Sequence, residues 1–115
     1  MDIAALKKQL AEFAAERDWQ QYHSPKNLAM ALAAESGELL ELFQWLSEVE
    51  SADLDPATRE AVAFELADIL IYMLRLADSL DIDLDAAVSE KMRLNAERYP
   101  VALARGNATK YNRRD

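Results

Sequence analysis

The chain contains no cysteine, which removes disulfides, thiolate zinc sites and thiol nucleophiles together. It has one histidine, His23, so a di-iron bundle, which draws two Glu-x-x-His pairs from its helices, is excluded too. Two glycines and three prolines in 115 residues leave few places for turns, and with Ala, Leu and Glu abundant the chain is predicted to be all-α. Uninterrupted apolar runs are also missing. The longest apolar stretch, Ala61 to Leu80, is broken by Glu65, Asp68 and Arg75, so neither a signal peptide nor a transmembrane span is expected, and the cytosol is the expected location. Basic residues are scarce, 13 against 21 acidic ones for a net charge of −8. Binders of nucleic-acid polymers present basic surfaces, so no such partner is expected; a small polyanion brought in with metal ions remains compatible.

What basic charge there is collects at the end. From Arg105 onward, RGNATKYNRRD carries four basic residues against one acid, leaving −11 on residues 1 to 104. A basic tail beside an acidic body suits closure over a bound anion. The length fits one domain, and no solenoid repeat or low-complexity tract is present.

The organising stretch is AVAFELADILIYMLRLADSL, Ala61 to Leu80. At about 100° per residue, positions 61, 65, 68, 72 and 75 share one stripe that reads Ala, Glu, Asp, Tyr, Arg. The neighbouring stripe, 62, 66, 69, 73, 76 and 80, reads Val, Leu, Ile, Met, Leu, Leu. A helix apolar nearly all round is expected to be buried, which would hold Glu65 and Asp68 in or beside the core, where an unpaired carboxylate is very costly. A matching pair, Glu35 and Glu38, lies upstream with the same i,i+3 spacing, and Glu35 interrupts a stripe of Leu28, Leu32, Leu39, Leu42 and Leu46. Two such helices side by side bring four carboxylates to one point, which like charges tolerate only if a cation neutralises them.

The helices read as follows. Residues 2 to 17 form an amphipathic helix with Ile3, Leu6, Leu10, Phe13 and Ala14 on one face. Trp19 to His23 make a polar-aromatic connector. Ser24-Pro25 is a cap-then-proline start for a second helix over 25 to 47, with Gly37 inside it, where close approach of a neighbour would explain the residue. Residues 47 to 55 are expected as an acidic loop. Asp55-Pro56 repeats the start signal for a third helix ending near Asp81, and a fourth runs from Asp83 until Pro100 stops it, followed by a tail. The central two helices carry more apolar surface than one small chain covers, so a dimer or tetramer of four-helix-type bundles is expected.

The plain reading of each carboxylate pair is a solvated acidic face. Against it, same-sign pairs at i,i+3 weaken a helix, and both pairs sit within apolar stripes. All-oxygen ligands suit Mg²⁺ or Mn²⁺; Mg²⁺ held by few protein groups keeps waters and takes up substrate phosphates. The aromatic residues Trp19, Tyr22, His23, Trp45 and Tyr72 are ordinarily core, yet a connector of Trp, Gln, Tyr and His is poor core material and good material for stacking a base. Lys26, Lys91, Arg98, Lys110, Arg113 and Arg114 are mostly solvated surface, although Lys91 and Asn95 share one helix face at i,i+4.

Three segments, EFAAERDWQQYHSPKNLAMALAAESGELLELFQW, FELADILIYMLRLA and KMRLNAERYPVALARGNATKY, together resemble the all-α nucleoside triphosphate pyrophosphatases of the MazG-like superfamily, and within it the dCTP pyrophosphatases. The likeness covers roughly residues 9 to 111. It implies a MazG-like domain over 1 to 104 with 105 to 115 as a tail that closes over phosphates. It implies Glu35, Glu38, Glu65 and Asp68 as Mg²⁺ ligands, and Trp19, His23 and Trp45 around the base. It further implies Tyr72, Lys91, Asn95, Lys110 and Tyr111 near substrate, in a homo-oligomer, commonly a tetramer. Where some relatives place a histidine on the first helix, this chain has Leu10.

The expected reaction is dNTP + H₂O → dNMP + PPi, with dCTP and 5-modified dCTP preferred and Glu38, or alternatively Glu35, activating water. Two other readings stay open: a MazG-like hydrolase of another nucleotide, such as dUTP or an oxidised dNTP, and a non-catalytic helical module that binds a basic partner.

Overall fold

A computed structural model describes residues 1 to 113, so Arg114 lies outside the described residues. These residues form helices and turns without a strand. The helices are α1 (Ile3–Glu16), α2 (Pro25–Glu41), α3 (Glu48–Ser51), α4 (Pro56–Ser79), α5 (Leu84–Arg98) and α6 (Val101–Ala104), with 3₁₀ turns at Gln20–Tyr22 and Tyr111–Arg113. None of the helices is long and apolar enough to cross a membrane. The chain divides into two compact units, Met1–Asp81 and the residues from Ile82 on.

The helix starts are where the local signals put them. Asp2, Ser24, Asp55 and Asp83 each accept a hydrogen bond from the backbone N–H three residues on, satisfying donors that the first turn leaves unpaired. Proline occupies the first position of both α2 and α4. The C-terminal end of α1 is fixed as firmly. Asp18 takes a left-handed φ of 53°, its N–H donates to the Ala15 carbonyl at 3.1 Å, and the Trp19 N–H reaches back to the Ala14 carbonyl at 2.9 Å, a Schellman closure with Asp in the place usually held by glycine.

Two expectations about the second helix and its loop are corrected. α2 ends at Glu41, not near residue 47: the Leu42 and Phe43 N–H groups reach only three residues back, and Leu46 closes a further turn onto Phe43. That turn places Leu42 and Leu46 on one cleft with Val49 and Leu54. The supposed acidic loop contains α3, started by a reciprocal capping box in which the Glu50 N–H donates to Ser47 Oγ and the Ser47 N–H to Glu50 Oε1. The supposed tail likewise contains α6 and a 3₁₀ turn.

In the first unit α4 packs chiefly on α2 and also along α1. The fully buried side chains are few: Ala14 of α1, Leu28 of α2, and Leu74 and Ala77 of α4. Burying a leucine contributes about 1.5–3 kcal/mol, so this is a small core. The expectation that α4 is buried nearly all round therefore does not hold within one chain. Phe64, Leu66, Met73 and Leu80 are exposed, as are Met30 and Leu40 of α2. Gly37 is not needed for close approach here, since a Cβ built on it would meet nothing within 4 Å.

Candidate metal centre and aromatic cleft

Packing of α2 on α4 brings Glu35 and Glu38, one turn apart, up to Glu65. One carboxylate oxygen from each lies within 4.8 Å of the others, with Glu35 and Glu65 half-buried and Glu38 exposed. Three ionised carboxylates cannot share so small a space unaided, and the chain answers in part by holding a proton. The Glu35 carboxyl is pushed up to about 7, first because the protonated form can donate a hydrogen bond to Glu65, then through burial, then through a hydrogen bond to Glu38 and the charges of both neighbours. Even so, Glu35 Oε2 and Glu65 Oε2 are buried without a hydrogen-bond partner. Orphaned buried oxygens call for a partner such as an ion or a water, and an all-oxygen set fits a hard divalent cation.

Asp68, the fourth carboxylate implied by the resemblance, is not in this group. It lies one turn further along α4 and lines a cleft of about 340 Å³ together with Leu10, Phe13, Trp19, His23, Tyr72 and Arg75. The stripe read from the sequence is thus a physical track: Glu65 at the carboxylate centre, then Asp68, Tyr72 and Arg75 along the cleft. Trp19 is set by the closure of α1 and packs edge-on to Phe13, ring centroids 5.7 Å apart, with the His23 ring tilted to it at 6.3 Å. Asn27 of α2 ties down the connector by donating to the Tyr22 carbonyl at 3.0 Å. Burial, and next the nearby Arg75 charge, hold the His23 imidazole below its usual range, so it is neutral at pH 7. Its Nδ1 is buried without a partner.

A MazG-like family model matches residues 30–113. The chain belongs to the MazG-like family. Over 103 residues it is 53% identical to dCTP pyrophosphatase 1 of Rattus norvegicus and 50% identical to dCTP pyrophosphatase 1 of Homo sapiens, in each case covering 88% of this chain and 61% of the relative. The chain therefore spans about three fifths of the length of the curated relatives it matches. Among solved structures, a pyrophosphatase from Archaeoglobus fulgidus superposes with a TM-score of 0.82 at 40% identity, covering 87% of this chain and 94% of that one.

The remaining expected site residues of this MazG-like chain are spread more widely. Trp45 sits in the turn after α2 and is 88% exposed. The 17 residues of α2 make about 25 Å of helix at 1.5 Å per residue, so Trp45 and the Trp19–His23 connector stand at opposite ends of it. Lys91 and Asn95 are exposed on α5 in the second unit. In that same unit the Tyr111 N–H donates to the Tyr99 hydroxyl at 3.2 Å, and the Tyr111 ring carries the Arg98 guanidinium 4.6 Å from its centroid. Lys110 directly precedes it and is exposed. Phe13 and Arg75 of the cleft were not expected as site residues. Arg75 had a readable signal, its place on the Glu65–Asp68–Tyr72 stripe; Phe13 had none, being a plain apolar position of an amphipathic helix.

Proposed function

We propose that this protein is a Mg²⁺-dependent nucleoside triphosphate pyrophosphohydrolase, converting dNTP and water to dNMP and pyrophosphate, with dCTP and 5-modified dCTP preferred. The observation that carries the reading is the continuity of one stripe on α4, which runs from a carboxylate cluster into an aromatic cleft. From Glu65 to Arg75 the stripe covers about 15 Å of helix axis, a span that a nucleoside triphosphate can bridge with its phosphates at the acids and its base among the rings. The names of the relatives support the substrate class.

Glu35, Glu38, Glu65 and Asp68 would hold the Mg²⁺, with Mn²⁺ as a substitute. When bound, such an ion polarises phosphoryl oxygens and neutralises charge that develops on them. Glu38, the exposed carboxylate of the four, orients the attacking water and accepts its proton; Glu35 is the alternate. Trp19 and Trp45 stack the base, His23 contacts its edge, and Tyr72 packs on the sugar. Lys91, Asn95, Lys110 and Tyr111 are the groups that the resemblance assigns to the triphosphate. The distance between Trp45 and Trp19 along α2, and the exposed apolar side chains of α2 and α4, support a homo-oligomer, a dimer or a tetramer, in which one chain's Trp45 meets another chain's cleft.

Pyrophosphate release across a panel of dNTPs, with and without Mg²⁺, tests the reading. Mg²⁺-dependent release, greatest with dCTP, is the expected result. Release greatest with dUTP would replace the substrate, and silence across the panel would leave only a non-catalytic acidic module.

Trp45→Ala is expected to raise KM for dCTP roughly tenfold or more, the usual scale for loss of one aromatic stacking partner, with the Mg²⁺ requirement unchanged. Since the side chain is 88% exposed, the fold of the single chain loses little. A lowered melting temperature with intact kinetics would make Trp45 structural only.

A further inference from the structure

The reaction as read above makes no use of Arg17, the residue that ends α1. Its guanidinium folds back by one turn: Nη1 donates to the Phe13 carbonyl at 3.1 Å, and Cζ lies over the Phe13 ring, 3.5 Å from its centroid. Glu16 Oε2 stands 3.5 Å from the same Nη1. Arg17 thus grips Phe13 twice, by its carbonyl and by its ring. From Phe13 the ring contacts continue. Trp19 meets Phe13 edge-on at 66°, and the His23 ring follows, at 60° to Trp19. Phe13, Trp19 and His23 line the aromatic cleft, and Arg17 does not.

Burial does not supply the order in this row. Phe13 is 46% exposed and Trp19 43% exposed, so core packing does not lock either ring in one rotamer. The Trp19 N–H is held by the Ala14 carbonyl, which fixes where the indole starts and not which way its plane faces. A guanidinium over an aromatic face is attractive, and a planar group that stacks on the ring while it donates to the same residue leaves that ring little freedom. Side-chain freedom kept in the free protein has to be given up when a ligand binds.

We infer that Arg17 is a positioning residue for the base: by holding the Phe13 ring, it sets the plane of Trp19 before a nucleotide arrives. This rests on the nucleotide reading above, in which Trp19 stacks the base. The plain alternative is a helix terminus, where a basic side chain at the last carbonyls steadies α1 and does nothing for the cleft. The two differ in route. A clamp acts through the Phe13 ring, whereas a cap acts through the backbone carbonyl, which any residue at position 13 supplies.

The test measures kcat and KM for dCTP, and the melting temperature, in the wild type, Arg17→Ala, Phe13→Leu and the double variant. Arg17→Ala is expected to raise KM about three- to tenfold, the scale of ordering one or two side chains on binding, with kcat unchanged because the carboxylates are untouched. In the Phe13→Leu background the same substitution should add almost nothing to KM, since the ring through which Arg17 acts is gone. A second readout needs no substrate. The chain has two tryptophans, Trp19 and Trp45, so in a Trp45→Phe background Trp19 is the only indole, and Arg17→Ala should make its fluorescence easier for acrylamide to quench. A melting temperature lowered alike in both backgrounds, with KM and quenching unchanged, would make Arg17 a helix cap and overturn the inference. So would a rise in KM that persists undiminished without the Phe13 ring. Wild-type turnover with an unaltered KM in Arg17→Ala overturns this inference alone; a wild type that hydrolyses no dNTP overturns the nucleotide reading with it.

Discussion

Glu38→Gln is expected to bind dCTP and Mg²⁺ yet turn substrate over about 10² to 10⁴ times more slowly, the usual contribution of a positioned general base. The substitution keeps the side chain's shape and one carbonyl oxygen but removes the ability to take a proton. Glu38 is the member of the carboxylate cluster open to solvent, so water reaches it without rearrangement. The measurement is kcat from pyrophosphate release at saturating Mg²⁺, beside calorimetric binding of dCTP. Undiminished kcat would remove Glu38 from the chemistry and pass the role to Glu35. Loss of binding together with turnover would make Glu38 a ligand holder only.

Glu35→Gln is expected to abolish the response to Mg²⁺ and, in its absence, to stabilise the fold above neutral pH. The Glu35 carboxyl is raised from an ordinary 4.5 to about 7 in the folded chain, so between those values the folded state binds more protons than the unfolded one. Stability of the ion-free wild type therefore falls as pH rises through that window, and the loss is complete above it. Glutamine does not titrate, so the variant lacks this fall: its melting temperature should match the wild type near pH 4 and exceed it by several degrees at pH 8. With Mg²⁺ present the order reverses. An ion at a hundred times its dissociation constant adds about 2.7 kcal/mol to the wild type and little to the variant. Melting curves from pH 4 to 8, with and without Mg²⁺, decide it; parallel profiles for the two proteins would mean that Glu35 is not the repelled carboxylate.

The parts of this molecule that were legible in its sequence are those that local chemistry fixes. Ser24-Pro25 and Asp55-Pro56 start α2 and α4 because a side-chain oxygen and a preset φ act within one turn. Glu35 stood out because it placed a charge in a leucine row, and Glu65 because the stripe beside its own is wholly apolar. What could not be read depends on neighbours. The leucine row continues through Leu42 and Leu46 while the backbone does not, because a turn can bring the same side chains to one cleft with Val49 and Leu54. The Ser47-x-x-Glu50 box was present to be read, but Glu48, Glu50 and Asp53 within six residues favour solvation equally well. That Glu38, and not Asp68, completes the tight group with Glu35 and Glu65 follows from how α2 lies on α4, which helical spacing alone does not specify.

So few side chains are fully enclosed in one chain, while Phe64, Leu66, Met73, Met30 and Leu40 stay wet, that the folded state should gain from company. If copies associate through those surfaces, the folding equilibrium becomes higher than first order in protein. Dilution alone would then soften the fold, and the melting point would climb with the amount of chain in the tube.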